Sequence, residues 1–312
     1  MPAKYSLWSI NIVFCIIFMI LPSFTIGIDI PVGSKSLGKT LFLLFSISII
    51  AVLYLVIFLF KKDSNFLFKL SLIDGVIAIL VLFVLINSTL FQNHLSVNYR
   101  LYDFGGLIFF YLAVRLIDSK GLILSFVFLV IGGLIQVTYG ELQLYNFYPA
   151  LNPNFPITGS FFNPGPYSGY LTAVFPIALG LHFFIDQWKC DDITPYRNLI
   201  KIMGIVTALG VILVLSVTAS RAAWIALVFS GGFLMFFRFC WNRKFRKALD
   251  TPIKRTIGIL LGLAIVAGVG TGLYYLKKDS ADGRTLIWKA SWEMIRENPL
   301  TGLGFDRFQA GY

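Results

Sequence analysis

Charged residues are scarce in this sequence: they account for 13% of the 312 residues, whereas hydrophobic residues account for 57%. Soluble globular domains carry about 25% charged residues, so the composition excludes an ordinary soluble enzyme or binding domain. Several uninterrupted apolar runs reach the roughly 20 residues that a helix needs to cross about 30 Å of hydrocarbon. The sequence therefore predicts an all-α integral membrane protein.

Cysteine and histidine are also rare, with three and two copies. Cys15 falls in the first apolar run, and Cys190 and Cys240 fall in segments that we predict to be cytoplasmic, so we expect no disulfide framework. The sequence has no Cys or His cluster with metal-ligand spacing, no phosphate-cradling glycine motif and no hydrolase elbow. We accordingly expect neither a metal nor a cofactor.

Hydropathy predicts a bundle of about nine transmembrane helices with no internal repeat. The predicted spans are Leu7 to Ile28, Leu37 to Phe60, Phe66 to Leu90, Phe104 to Ile117, Leu122 to Tyr139, Tyr167 to Ile185, Leu199 to Val217, Ala222 to Cys240 and Thr256 to Leu276. The fourth span is short for a crossing, and Gly105 and Gly106 at its start favour close helix packing or a broken helix. The spans form a polytopic domain over residues 1–276, which precedes a periplasmic segment over residues 277–312.

The distribution of Lys and Arg predicts the orientation, because short cytoplasmic loops carry the excess of positive charge. With the amino terminus inside, 16 basic residues fall in cytoplasmic segments and 4 in the outer loops before Lys277, and the segment from Lys277 adds six. The net charge of +11 forms no continuous stripe, so we expect no nucleic-acid partner. The prediction places a long loop, residues 146–166, and everything after Lys277 outside the cytoplasm.

Several polar residues are candidates for ligand contact. Gln136 lies toward the outer end of the fifth span, where a polar cleft and simple helix–helix hydrogen bonding are both open interpretations. His94 and Arg100 lie on a predicted outer loop, where they either contact a ligand or are solvated. Asp74 and His182 lie nearer the cytoplasmic ends of their helices, and we interpret both as structural.

Arg221 stands between two apolar helices with almost no loop to separate them, in the sequence LSVTASRAAWIALV. An Arg this close to hydrocarbon either extends to the lipid headgroups or binds an anionic ligand. Because a planar guanidinium engages phosphate oxygens bidentately, a diphosphate contact competes with a boundary Arg as the interpretation.

A periplasmic amphipathic helix over about residues 283–297 is predicted in the segment ADGRTLIWKASWEMIRENPLTGLGF. Asp282 is its predicted N-cap. Arg284, Trp288 and Trp292 share one helical face, which is typical of a helix at the membrane interface. Arg284 either meets anionic lipid from this helix or contacts a bound ligand.

Three landmarks in order resemble the O-antigen ligase and polymerase superfamily of bacterial membrane glycosyltransferases. They read ITGSFFNPGPYSGYL, then TASRAAWIALV, then GRTLIWKASWEMIRENPLTGLGFDRF. The resemblance covers the chain from about Gln136 to the end, whereas the earlier helices match mainly in being hydrophobic and similarly placed.

Members of this superfamily transfer a glycan from undecaprenyl diphosphate to an acceptor at the periplasmic face of the cytoplasmic membrane, or polymerise repeat units there. The resemblance implies a lipid-linked glycan as donor, a lipid, glycan or protein as acceptor, and membrane lipids as surroundings. It places the essential arginine of the family at Arg221 and the family's second periplasmic arginine at Arg284, and the two would neutralise the charge on the departing diphosphate without a metal. The other candidate substrate contacts are Asn163, Arg100 and Gln136.

O-antigen ligation is the reaction that the resemblance favours, with polysaccharide polymerisation and protein O-glycosylation as alternatives. The catalytic histidine of the family lies downstream of a GxGxxxF stretch, and neither His94 nor His182 matches its position. Since the sequence stops at Tyr312, we expect a carboxyl-terminally truncated chain. A transporter, which would place ionisable or unwound elements near the midplane, and a scaffold subunit are the other functional classes.

Overall fold

The computed structural model describes residues 71–91, 99–116, 119–188, 191–218, 220–240 and 278–304, with the isolated positions 256, 260, 268 and 308. This part of the chain forms seven α-helices and no strand, which confirms the all-α prediction for the described residues. The helices are α1 (Leu72–Phe91), α2 (Tyr99–Leu116), α3 (Ser119–Leu144), α4 (Pro164–Phe184), α5 (Arg197–Thr218), α6 (Arg221–Cys240) and α7 (Lys278–Glu297).

Five of these helices, α1 and α3 to α6, are long and apolar enough to cross a membrane. At 1.5 Å per residue, the 20 residues of α1 or α6 reach about 30 Å, which matches the hydrocarbon thickness. The chain is therefore a multi-pass membrane protein. The total of nine spans is not confirmed, because the predicted spans Leu7 to Ile28 and Leu37 to Phe60, and nearly all of Thr256 to Leu276, lie outside the described residues.

The structure of helix α2 differs from the prediction for the fourth span. It is one continuous helix of 18 residues, so the prediction of a broken helix is wrong. A Cβ atom built on Gly105 would have no neighbour within 4 Å, so this glycine does not mediate close packing. Its charged residues Arg100, Asp103 and Arg115 make α2 less apolar than the five candidate spans.

Helix α1 begins at a capping box, in which the first helical residues exchange hydrogen bonds with the residue before them. Ser71 N donates to Asp74 Oδ2 at 2.6 Å, and Asp74 N donates to Ser71 Oγ at 3.3 Å. Asp74 Oδ1 also accepts from the Tyr111 hydroxyl. The described helix thus starts at Leu72, later than the predicted Phe66, and these bonds agree with a structural role for Asp74.

The described residues divide into two compact units. The first unit contains residues 112–116 at the end of α2, together with α3, α4, α5 and α6. The second unit contains α1, residues 99–111 of α2, α7 and the turn over residues 298–304.

Glycines bring the helices of the first unit close together. A Cβ atom on Gly204 of α5 would lie 2.5 Å from the Ala178 carbonyl oxygen of α4, and one on Gly133 of α3 would lie 2.4 Å from Val174 of α4. Small residues at such crossings let helix backbones approach in a membrane, where dispersion contacts replace the hydrophobic effect between helices. The fully buried core between these helices includes Val130, Leu171, Val211, Val214 and Leu215.

Candidate functional site

The end of the first unit at which α3 and α5 finish and α4 and α6 begin is called here the outer end, after its predicted orientation. Three helices meet there, because a Cβ atom on Gly140 of α3 would lie 2.1 Å from the Tyr167 hydroxyl of α4 and 3.2 Å from Val214 of α5. Two connections lie at this end: residues 145–163, called the outer loop, and the short break between Thr218 and Arg221. The outer loop is shorter than predicted because α4 begins at Pro164.

Arg221 is the first residue of α6, so only two residues separate α6 from α5. The Ser220 carbonyl accepts a hydrogen bond from the Trp224 N–H at 3.1 Å and starts the helix. Arg221 itself is half-buried, and Ala223 is buried. The structure therefore confirms the short break that the sequence predicts at this position.

The local electrostatics at Arg221 suit an anion. The amino end of a helix carries about half a positive charge and has N–H groups without intrahelical acceptors. The Arg221 guanidinium adds a positive charge at this helix end, and the first turn of α6 contains no acidic residue. A phosphate group would interact favourably with both, since the N–H groups and the planar guanidinium are hydrogen-bond donors.

Gln143, in the last turn of α3, holds both ends of the outer loop. Its Oε1 atom accepts from the N–H of Thr158 at 2.9 Å and of Gly159 at 2.8 Å. Its Nε2 atom donates to the carbonyls of Gly159 at 3.0 Å and of Pro149 at 3.4 Å. The buried amide thus uses two acceptor sites and two donors, which is its full capacity.

Gln136 is a second buried residue of α3 that forms hydrogen bonds with the outer loop. Its Nε2 atom donates to Ser160 Oγ at 2.7 Å, and its Oε1 atom accepts from Ser160 N at 3.1 Å. The Tyr167 hydroxyl donates to the Gln136 carbonyl at 2.7 Å. Because Gln136 is only 1% exposed, this conformation presents none of it to a ligand. In this conformation Gln136 fixes the outer loop, and the predicted substrate contact at Gln136 stays a prediction.

Asn163 is the N-cap of α4 and lies at the same end of the first unit as Arg221. Its Oδ1 atom accepts from the Gly165 N–H at 2.8 Å. Pro164 and Pro166 follow, and neither has an N–H group to offer an anion. The structure therefore brings Asn163 and Arg221 to one end, but it favours α6 over α4 as the helix that meets an anion.

Arg284 lies on α7 in the second unit, and its side chain is exposed. The helix begins at Lys278, so the prediction of Asp282 as N-cap is wrong, and Asp282 lies inside the helix. Trp288 and Trp292, on the same face as Arg284, are also exposed.

The turn after α7 is tied to α1. Asn87 Nδ2 donates to the Thr301 carbonyl at 2.7 Å, and Asn87 is buried. This bond places the end of α1 and residues 298–304 at one end of the second unit. Arg100 lies in the first turn of α2 rather than on a loop, whereas His94 lies outside the described residues.

His182, which we interpreted as structural, lies at the opposite end of the first unit. His182 Nδ1 lies 3.0 Å from the Lys201 carbonyl oxygen, and Lys201 Nζ donates to Asp186. These partners agree with a structural role for His182. Across the described part of the chain, no group of three or more His, Cys, Asp or Glu residues could hold a metal ion.

Sequence reasoning missed Gln143 and Tyr167, which organise the outer loop together with Gln136. Their signal in the sequence is weak but present: two glutamines in an apolar span precede a loop rich in Pro and Gly, whose buried backbone groups need partners. The distances that join them to the loop depend on how α3 and α4 pack.

One family comparison matches the chain. Residues 204–312 match a protein-family model described as O-antigen ligase. This range begins within α5 and includes both Arg221 and Arg284. Neither a curated protein nor a solved structure gives a match.

Proposed function

We propose that the chain belongs to the O-antigen ligase and polymerase superfamily, which the match over residues 204–312 supports, and that it transfers a glycan from undecaprenyl diphosphate to an acceptor. The proposed site faces the periplasm from the bacterial cytoplasmic membrane, with the amino terminus in the cytoplasm, as the Lys and Arg distribution predicts. Ligation of the glycan is the proposed reaction.

The observation that carries the proposal is the position of Arg221 within the matched range. It is half-buried at a two-residue helix break and is the first residue of α6, where the helix N–H groups lack intrahelical acceptors. In glycan transfer, an acceptor hydroxyl attacks the anomeric carbon, the carbon–oxygen bond to the diphosphate breaks, and a base takes the hydroxyl proton. The leaving diphosphate gains negative charge, which the Arg221 guanidinium and the start of α6 would stabilise.

We also assign Arg284 a phosphate-binding role. Support comes from its place in the matched range and from its exposed position beside Trp288 and Trp292, a combination suited to a lipid surface. The Arg284 guanidinium would bind phosphate oxygens by charge-assisted hydrogen bonds, with no step that requires a metal.

The test replaces Arg221 in the complete gene product and measures the release of undecaprenyl diphosphate from a radiolabelled glycan donor in membranes that contain the native acceptor. We expect Arg221→Ala to lower the release rate by about 10²- to 10³-fold, the usual effect of removing one donor that stabilises transition-state charge. The release rate of Arg221→Lys should lie between that of the unchanged protein and that of Arg221→Ala. An ammonium keeps the positive charge but lacks the planar guanidinium that binds two phosphate oxygens.

Arg238 provides the matched control, since it is an exposed Arg in the last turn of the same helix. Arg238→Ala should keep the release rate within about twofold, because it lies at the opposite end of α6 from the proposed phosphate contact. A release rate that is equally unaffected in Arg221→Ala would contradict the proposed function. The labelled product distinguishes ligation from polymerisation or protein glycosylation, since the glycan ends on a lipid, a growing glycan or a protein.

A further inference from the structure

The outer loop has a buried side that is hydrogen-bonded to α3. Gln143 makes four hydrogen bonds that reach Pro149 near the start of the loop and Thr158 and Gly159 near its end. Gln136 and Ser160 add two more. A connection without regular structure is ordinarily mobile, because few of its backbone groups are bonded. Here, two amide side chains from α3 determine the shape of the connection.

The two ends of the loop are fixed by local geometry as well. Asn146 adopts φ of 60° after the end of α3, and the N–H groups of Asn146 and Phe147 donate back to Gln143 and Leu142 at 3.1 and 2.9 Å. This pattern is the Schellman motif, which ends a helix sharply. At the other end, the Asn163 cap starts α4.

The other side of the loop is exposed and has a particular chemistry. Phe147 is 78% exposed, and Tyr145, Phe162, Asn154 and Asn163 are exposed as well. Aromatic faces combined with hydrogen-bonding groups suit a sugar ring, which has apolar C–H faces and a rim of hydroxyls. The loop lies at the end of the first unit where α6 begins, which is where we propose that the diphosphate binds.

We propose that Gln143 is a positioning residue for donor recognition: it holds the outer loop in the shape in which the exposed side contacts the glycan attached to the diphosphate. This inference rests on the proposed function, since it assumes that Arg221 binds the diphosphate of the same donor. A fixed loop binds more tightly than a mobile one, because the ordering entropy is already lost before the ligand arrives.

The test uses two probes that differ only in the sugar: undecaprenyl diphosphate and undecaprenyl diphosphate carrying N-acetylglucosamine. The dissociation constant of each is measured with the complete gene product in nanodiscs. We expect Gln143→Met, which keeps the length of the side chain but removes all four hydrogen bonds, to weaken binding of the sugar-bearing lipid by about tenfold. Binding of the sugar-free lipid should stay within about twofold.

Thr138→Val is the matched control, because Thr138 is an exposed residue near the same end of α3 whose hydroxyl bonds only to the Leu134 carbonyl. It should change neither dissociation constant. Phe147→Ala is the second test variant, chosen because an exposed side chain is removed without disturbing the core. It should weaken binding of the sugar-bearing lipid alone.

The outcomes separate this inference from the proposed function. If Gln143→Met and Phe147→Ala weaken both lipids equally or leave both unchanged, the loop serves only the fold or the bilayer interface, and the inference is wrong. Arg221→Ala should weaken both lipids. If it weakens neither, the proposed function itself fails, whatever Gln143→Met shows.

Discussion

The buried base of the outer loop, where it meets α4, and helix α7 use aromatic residues in opposite ways. At the base of the outer loop, Tyr167 is fully buried, and the ring centroid of Phe161 lies 6.1 Å from its ring. On α7, Trp288 and Trp292 are 70% and 63% exposed. The outer loop takes its shape from the protein interior, whereas the described part of the chain leaves one face of α7 open.

The difference indicates two environments. A Trp side chain buries up to about 250 Å² when it is covered, and its ring with a polar N–H group is well suited to the boundary between lipid and water. The apolar and basic faces of α7 have the pattern of helices that lie on a membrane. We therefore expect α7 to be covered by lipid and the outer loop to keep its shape in detergent and bilayer alike.

The largest contrast between the two regions is expected at two glycines with similar backbone angles. Gly159 in the outer loop has φ of 55° and Gly302 after α7 has φ of 62°, a region that disfavours L side chains by about 1–2 kcal/mol. A Cβ atom on Gly159 would also lie 2.3 Å from the Tyr167 ring, whereas one on Gly302 would have no neighbour within 4 Å.

Gly159→Ala should therefore lower the free energy of unfolding by about 3 kcal/mol, the sum of backbone strain and overpacking. Gly302→Ala should lower it by about 1 kcal/mol, from the backbone term alone. Thermal unfolding of both variants in one detergent provides the comparison. Equal losses would show that the outer loop is not packed as described.

A smaller effect is expected from the buried hydroxyl of Tyr167. Tyr167→Phe removes the donor to the Gln136 carbonyl, which lies 2.7 Å away, and should lower the free energy of unfolding by about 1 kcal/mol. Tyr196→Phe is the control, because Tyr196 is exposed in the short 3-10 turn before α5. It should have no measurable effect on the melting temperature. If Tyr167→Phe also leaves the melting temperature unchanged, the buried hydrogen bond of Tyr167 does not contribute to stability as described.

These two regions also show what the sequence could predict. Hydropathy located α3 to α6 closely, because a membrane span must be apolar over its full length. The break at Arg221 was visible for the same reason: the predicted spans that end at Val217 and begin at Ala222 leave only four residues, which force a tight turn. The start of α1 could have been predicted as well, since Ser71 and Asp74 have capping-box spacing.

The hydrogen-bond network of the outer loop could not be predicted in the same way. Gln143 bonds to Thr158, and Gln136 to Ser160, across 15 and 24 positions of sequence, so the partners depend on the path of the loop. Periodicity reports which face of a helix is apolar, but it does not identify the distant group that a buried amide meets. The predicted start of α7 was wrong for a local reason. Ser280 and Ala281 precede Asp282, and neither residue breaks a helix, so α7 includes them.

The smallest expected effect on folding concerns the exposed face of α7. Replacing Trp288 and Trp292 together by Ala should change the free energy of unfolding in detergent by less than about 0.5 kcal/mol, because exposed side chains make few contacts within the protein.

The same face of α7 should nevertheless contact lipid. To detect this contact, Trp288→Cys and Lys289→Cys are labelled with an NBD fluorophore in a chain whose three native cysteines are replaced by Ser. In bilayers, the probe at position 288 should emit at shorter wavelength than the probe at 289, which lies about 100° further round the helix. Identical, water-like emission from both positions would contradict an interfacial position for α7. The exposed tryptophans would then be better explained by contact with a protein partner.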